Sequence, residues 1–151
     1  MLVGDVVVVD DVETGKSTVE INGDSSYLQF PIQSSFQYLA FQIKNLDRFL
    51  KIICHIRDDE NHIRTFTLTN KRTTIQVKDN SCSLPIELGS GWQYFNLDLD
   101  DLMRRSFGTN YSHILEITVF GSTRIGKIYL QDREYCDAEL PSFLRLITPD
   151  N

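Results

Sequence analysis

The chain has 151 residues, 41% hydrophobic and 11% aromatic, which is enough for one domain with a sizeable core and too apolar for disorder. Its 15 basic and 21 acidic side chains leave a formal net charge of −6, which gives no support to sequence-independent nucleic-acid binding through lysine and arginine. Three cysteines, Cys54, Cys82 and Cys136, are odd in number and widely spaced, which argues against a disulfide framework or a zinc site and predicts reduced thiols.

Met1 to Asp5 lack the basic start of a signal sequence, and the apolar run Val6 to Val9 is too short for one. No stretch approaches the ~20 apolar residues of a membrane span, so no membrane partner is expected and the expected compartment is the cytosol. Gly15-Lys16-Ser17-Thr18 resembles the end of a phosphate-binding loop, but the glycine such a loop needs five positions earlier is Asp10. Asp10, Asp11 and Glu13 would also set negative charge where phosphates must sit, and Thr18 to Ile21 alternate as a strand does. Glu13 to Lys16 is therefore read as a hairpin turn, and a second turn is expected at Asn22-Gly23-Asp24.

From Tyr38 onward the chain alternates with period two. Leu39, Phe41 and Ile43 face one way and Tyr38, Gln42 and Lys44 the other, while Leu50, Ile52, Cys54 and Ile56 oppose Lys51, His55 and Arg57. The acidic stretch Asp58-Asp59-Glu60-Asn61 lacks the glycine and distant glutamate of a calcium loop and is read as a solvated hairpin tip. Across that hairpin His55 and His62 can face each other, but Cys54 points to the opposite face and no metal site is expected. With His113 far off in sequence, no catalytic constellation and no cofactor site is visible.

Gly89-Ser90-Gly91 marks a further turn, and Phe95, Leu97 and Leu99 alternate again. Leu99 to Phe107 is the one helix candidate, with Leu99, Leu102, Met103 and Phe107 at helical spacing. Asp98 or Asp100 caps its start, Arg104 and Arg105 suit the dipole at its end, and Gly108 stops it. Leu115, Ile117 and Val119 form a last alternating run before a turn at Phe120-Gly121-Ser122. The aromatics Trp92, Tyr27, Tyr38, Tyr94, Tyr111 and Tyr129 allow a flat sugar-binding platform, although core or cross-strand packing is the ordinary role of strand aromatics. Many alternating strands, polar turns and one short helix predict a single all-β domain over residues 1–151, an antiparallel β-sandwich.

The segment Gly91 to Tyr135 carries a more specific signal. It holds Gly91-Trp92, Phe95-Asn96-Leu97, the block Met103-Arg104-Arg105-Ser106-Phe107-Gly108-Thr109-Asn110-Tyr111, then Arg124 to Arg133, and Glu139-Leu140-Pro141 follows. These motifs resemble the cilia- and flagella-associated protein 20 family, with weaker similarity back through Ile43-Lys44-Asn45-Leu46 to about Val19. The resemblance implies a jelly-roll shaped like a carbohydrate-binding module, working as a non-enzymatic structural protein of the cilium or flagellum. It implies a place at the inner junction of axonemal doublet microtubules, where the B-tubule closes onto the A-tubule. The implied partners are the tubulin lattice and the parkin co-regulated gene protein, and the implied location is the cytoskeleton of the axoneme, with the basal body as the alternative.

Two departures from the family pattern stand out. The family's N-terminal stretch ahead of Val19 is expected to have no counterpart here, and the family is typically basic whereas this chain is acidic, with Gly126-Lys127 in place of consecutive basic residues. The candidate contact residues are Arg104, Arg105, Asn110, Tyr111, Arg124, Lys127 and Arg133, which form one basic face if the helix end and a following hairpin meet. A carbohydrate- or ligand-binding module and a centriolar paralogue are the alternative functions.

Overall fold

The computed structural model describes residues 1–133. Its elements in chain order are β1 (Leu2–Asp10), β2 (Ser17–Ser34), β3 (Tyr38–Asp58), β4 (Ile63–Thr69), β5 (Gln76–Lys78), β6 (Ser81–Pro85), β7 (Gly91–Asp98), α1 (Leu99–Phe107) and β8 (Tyr111–Gln131). The strands join in the order β1-β2-β8-β3-β4-β6-β5, with β7 also paired to β3. All pairings are antiparallel except β4 with β6.

Three long strands build two leaves. The first part of β3, Tyr38 to Asn45, lies between β7 and the end of β8, while its second part, Leu50 to Asp58, lies between β4 and the start of β8. All three strands lose register at one level: β2 between Ile21 and Tyr27, β3 between Asn45 and Leu50, and β8 around Gly121. That shared break is a crease, and bulges of this kind bend strands from one sheet layer into another.

The crease is written in backbone chemistry. Gly121 has φ of 96°, and a side chain there would strike the Phe49 carbonyl, so only glycine lets the two strands approach. The Ser122 hydroxyl accepts from the Gly23 N–H at 3.0 Å, and Thr123 donates to the Lys44 carbonyl at 3.0 Å. The turns expected at Asn22-Gly23-Asp24 and Phe120-Gly121-Ser122 are therefore bulges inside continuous strands.

Folding at the crease brings both leaves onto one core. Leu39, Phe41 and Ile43 from one leaf and Ile52, Cys54, Ile56, Phe66 and Leu68 from the other share a single buried cluster with Ile114, Ile117 and Val119. Leu115 was expected to face inward, but β8 slips between His55–Glu116 and Ile56–Ile114, so Leu115 is the extra residue and Ile114 takes the core position. The all-β sandwich with one short helix is the observed fold.

The helix has the predicted limits. The Asp98 carboxylate accepts from the Asp101 N–H at 3.1 Å, and Gly108 at φ 73° returns its N–H to the Arg104 carbonyl at 3.0 Å. Leu99 and Met103 are fully buried and set the helix into the core between the leaves.

Candidate functional site

The expected contact residues fall into separate groups. Arg104 and Arg105 lie on the solvent side of α1, 53% and 81% exposed, and each uses its Nε to bond a carboxylate one turn back. Those bonds, Arg104 to Asp100 at 3.1 Å and Arg105 to Asp101 at 3.0 Å, match the i,i+4 spacing at which helix side chains meet. Both guanidiniums remain largely exposed to solvent.

Asn110 and Tyr111 are tied into the fold instead. Asn110 donates through its backbone N–H and its side-chain amide to the two oxygens of Asp59, at 3.2 and 3.0 Å. The Tyr111 hydroxyl shares its one proton between the carbonyls of Ser34 and Phe36, both at 2.9 Å, and accepts from the Ile114 N–H at 3.1 Å. Burial pushes the Tyr111 pKa up to about 12, so it stays a neutral donor.

The acidic hairpin tip is not simply a solvated loop. Asp58 is fully buried: one oxygen accepts from the N–H groups of Glu60 and His62, at 3.1 and 2.7 Å, and the other from Arg64 and Thr109, at 3.3 and 2.9 Å. Burial alone would raise its pKa, but the His62 N–H, the Thr109 hydroxyl and the Arg64 charge hold it below the ordinary carboxylate value. Arg64 in turn lies 4.4 Å over the Phe107 ring, so the β3–β4 hairpin is clamped to the end of α1. Asp58, Glu60 and His62 have ligand atoms within 4.8 Å of one another, yet Asp58 is already satisfied and neutralised by Arg64. Nor do His55 and His62 face each other, because the register sets His55 opposite Thr65, with its Nδ1 3.3 Å from Glu116.

Arg124 is committed inward, against expectation. Its guanidinium bonds Glu20 through Nε at 3.1 Å and Nη2 at 2.6 Å, and Asp11 through Nη1 at 2.7 Å. The buried Asp11 carboxylate also accepts from the Thr14 N–H at 2.9 Å and from the Trp92 indole N–H at 2.8 Å. Burial opposes its charge, but Thr14, Arg124 and Trp92 together keep its pKa well below the usual range. Lys44 completes the network, 3.6 Å from Asp11 and 3.2 Å from Glu13.

These groups do not meet in one basic face. Among the described residues no hairpin follows α1: β8 runs from Tyr111 to Gln131, and Arg124 lies thirteen residues along it, past the crease at Gly121. Tyr111 sits opposite Asp58 at the end of β3, whereas Arg124 sits opposite Lys44, beside the crease. Lys127 pairs with Gln42 in the first leaf, and Arg133 is exposed just past the end of β8. Glu139-Leu140-Pro141 and Cys136 lie outside the described residues.

Four of the six aromatics weighed in the sequence as a platform, Trp92, Tyr94, Tyr129 and Tyr38, fall in one row on the first leaf. The register sets Trp92, Tyr94 and Asn96 of β7 beside Lys44, Gln42 and Ala40 of β3, and these beside Arg124, Lys127 and Tyr129 of β8. With Tyr38 opposite Asp98, four aromatics share the face opposite the core residues Leu39, Phe41 and Ile43. The alternation of Trp92 and Tyr94 was the available signal.

Comparisons with known proteins bear on this arrangement. A family model described as the CFA20 domain matches residues 1–148, so the similarity begins at residue 1 rather than near Val19. Cilia- and flagella-associated protein 20 of Chlamydomonas reinhardtii is 32% identical over 97% of this chain and 82% of its own length. Its counterpart in Paramecium tetraurelia is 30% identical over 97% and 81%, and that of Caenorhabditis elegans 27% over 97% and 76%.

Proposed function

The chain belongs to the CFA20 domain family, and from that premise we propose that it is a non-enzymatic structural component of cilia and flagella. Its site is the inner junction of the doublet microtubule, with tubulin and the parkin co-regulated gene protein as partners. The observation that carries this reading is similarity across 97% of the chain to proteins named for cilia and flagella.

The chemistry of the fold agrees with a scaffold role. The two buried carboxylates, Asp11 and Asp58, are each held charged by an arginine and several donors, so neither is poised to exchange a proton near neutral pH. Rigid internal ion networks and a clamped helix suit a brick in a lattice. A chain at −6 cannot rely on bulk attraction to an acidic polymer, because like charges repel over a Debye length of ~8 Å. Docking then rests on shape and on local cations, and Arg104 and Arg105 are the exposed ones on α1. The planar guanidinium fork suits a partner carboxylate.

The test is localisation followed by extraction. Tagged protein expressed in ciliated cells is expected along the axoneme and to stay there after detergent removes the membrane and soluble matrix. Release with the matrix fraction would overturn the structural reading.

A further inference from the structure

The turn between β1 and β2 does not lie open. With Gln42, Trp92, Gly126 and Lys127 on the first leaf it walls a cleft of about 370 Å³, inside the range of ~300–1,000 Å³ typical of small-molecule sites. We propose that this cleft binds a small anionic sugar, a pyranose bearing a carboxylate or a phosphate.

Three features of the cleft specify that chemistry. The first is a fixed aromatic wall. Trp92 is partly exposed, and its indole N–H is held at 2.8 Å by the buried Asp11, itself fixed by Arg124. A ring already held in place loses little freedom when a ligand packs on it, and an indole offers a broad apolar surface to the C–H face of a sugar.

The second feature is room beside that ring. Gly126 sits where β8 slips register, yet its φ is not in the left-handed region, so the backbone does not require glycine. A Cβ at Gly126 would come within 3.3 Å of Trp92 Cζ3 and 3.5 Å of Gln42 Cβ. What glycine gives here is space.

The third feature is polarity. The charged residues lining the cleft are Lys16 and Lys127, with no carboxylate among the described residues that line it, although the whole chain carries −6. The Lys127 ammonium favours an anion in the cleft. The Ser17 and Thr18 hydroxyls donate to Asp10 and to the Val9 carbonyl, at 3.1 and 2.9 Å, which leaves their oxygen lone pairs to accept from sugar hydroxyls. Aromatic wall, hydroxyl acceptors and the Lys127 cation together describe a ring with hydroxyls and one acidic group. A bare anion would make no use of Trp92, and a neutral sugar would make none of Lys127.

Trp92 is the one tryptophan in the chain, so its fluorescence reports on this cleft alone. Emission of the full chain is titrated with glucuronate, glucose 6-phosphate, glucose and inorganic phosphate. Glucuronate or glucose 6-phosphate is expected to give a saturable change, at least about tenfold tighter than glucose or phosphate, or ~1.4 kcal/mol. Whichever of the two is tighter identifies the acidic group. Gly126→Val fills the space beside the ring and Lys127→Gln removes one cation, and each is expected to weaken binding about tenfold or more. Should Gly126→Val fail to fold, Lys127→Gln carries the test. No saturable change with either anionic sugar, equal affinity for glucose or for inorganic phosphate, or unaltered binding by Lys127→Gln would each overturn the proposal.

Discussion

Asp58 shows what a single residue contributes here. It joins a hairpin tip, the Arg64 guanidinium and the loop after α1 through one carboxylate with no exposed side-chain surface. Removing one partner of such a buried pair leaves the other uncompensated, so Asp58→Ala is expected to cost about 3 kcal/mol. In a domain of this length that corresponds to a fall in melting temperature of roughly 10 °C, readable by calorimetry. Unchanged melting would mean that the clamp carries no stability.

The acid response follows from the same residues. Asp11 and Asp58 titrate below the unfolded value of 3.8. Their stabilisation is therefore complete above about pH 4 and is lost as pH falls through the lower folded values. Melting temperature should hold between pH 7 and about 5 and drop below about 4, and the gap between wild type and Asp58→Asn should close as pH falls. A gap that widens on acidification would reverse the sign of this account. Neither buried carboxylate was legible in the sequence, where both sit in acidic turns resembling solvated tips. Which acid a fold takes inward depends on Arg64 and Arg124 arriving from distant strands.

At the scale of elements, local pattern was a reliable guide and crease geometry was not. Leu99 to Phe107 formed as read because cap, apolar spacing and glycine stop all act within a few residues. Gly121 was read as a turn because a glycine between alternating runs looks the same whether the chain reverses or bulges. The contact that decides, with the Phe49 carbonyl, comes from another strand. Gly121→Ala should accordingly cost about 3 kcal/mol, from the strained φ and the clash together. If chemical denaturation finds it neutral, the crease does not depend on that close approach.

Helix α1 permits a cleaner test of docking than charge reversal. Glutamates at 104 and 105 would repel Asp100 and Asp101 and oppose the helix dipole, confounding docking with stability. Arg104→Gln with Arg105→Gln loses two exposed pairs worth about 0.4 kcal/mol each and should shift melting by only a few degrees. The double variant is expected to fold and to lose axonemal incorporation. Normal incorporation would move the contact to another surface.

For the whole molecule, the fold class and the family were legible because both are spread along the chain. Period-two alternation recurs from Leu39 to Val119, and the Arg104 to Tyr111 block is long enough to be distinctive. How the parts meet was not legible. The expected basic face did not form because β8 sets Tyr111 at the end of β3 and Arg124 beside the crease, where it bonds Glu20 and Asp11. A net charge of −6 adds that docking must be local and shape-matched.

The most direct test is cryo-electron tomography of axonemes from cells with and without the gene, averaged over the doublet repeat. The account predicts that deletion removes periodic density at the inner junction, between the A- and B-tubules, and that re-expression restores it. Doublets with an intact, unchanged inner junction in the deletion strain would contradict it.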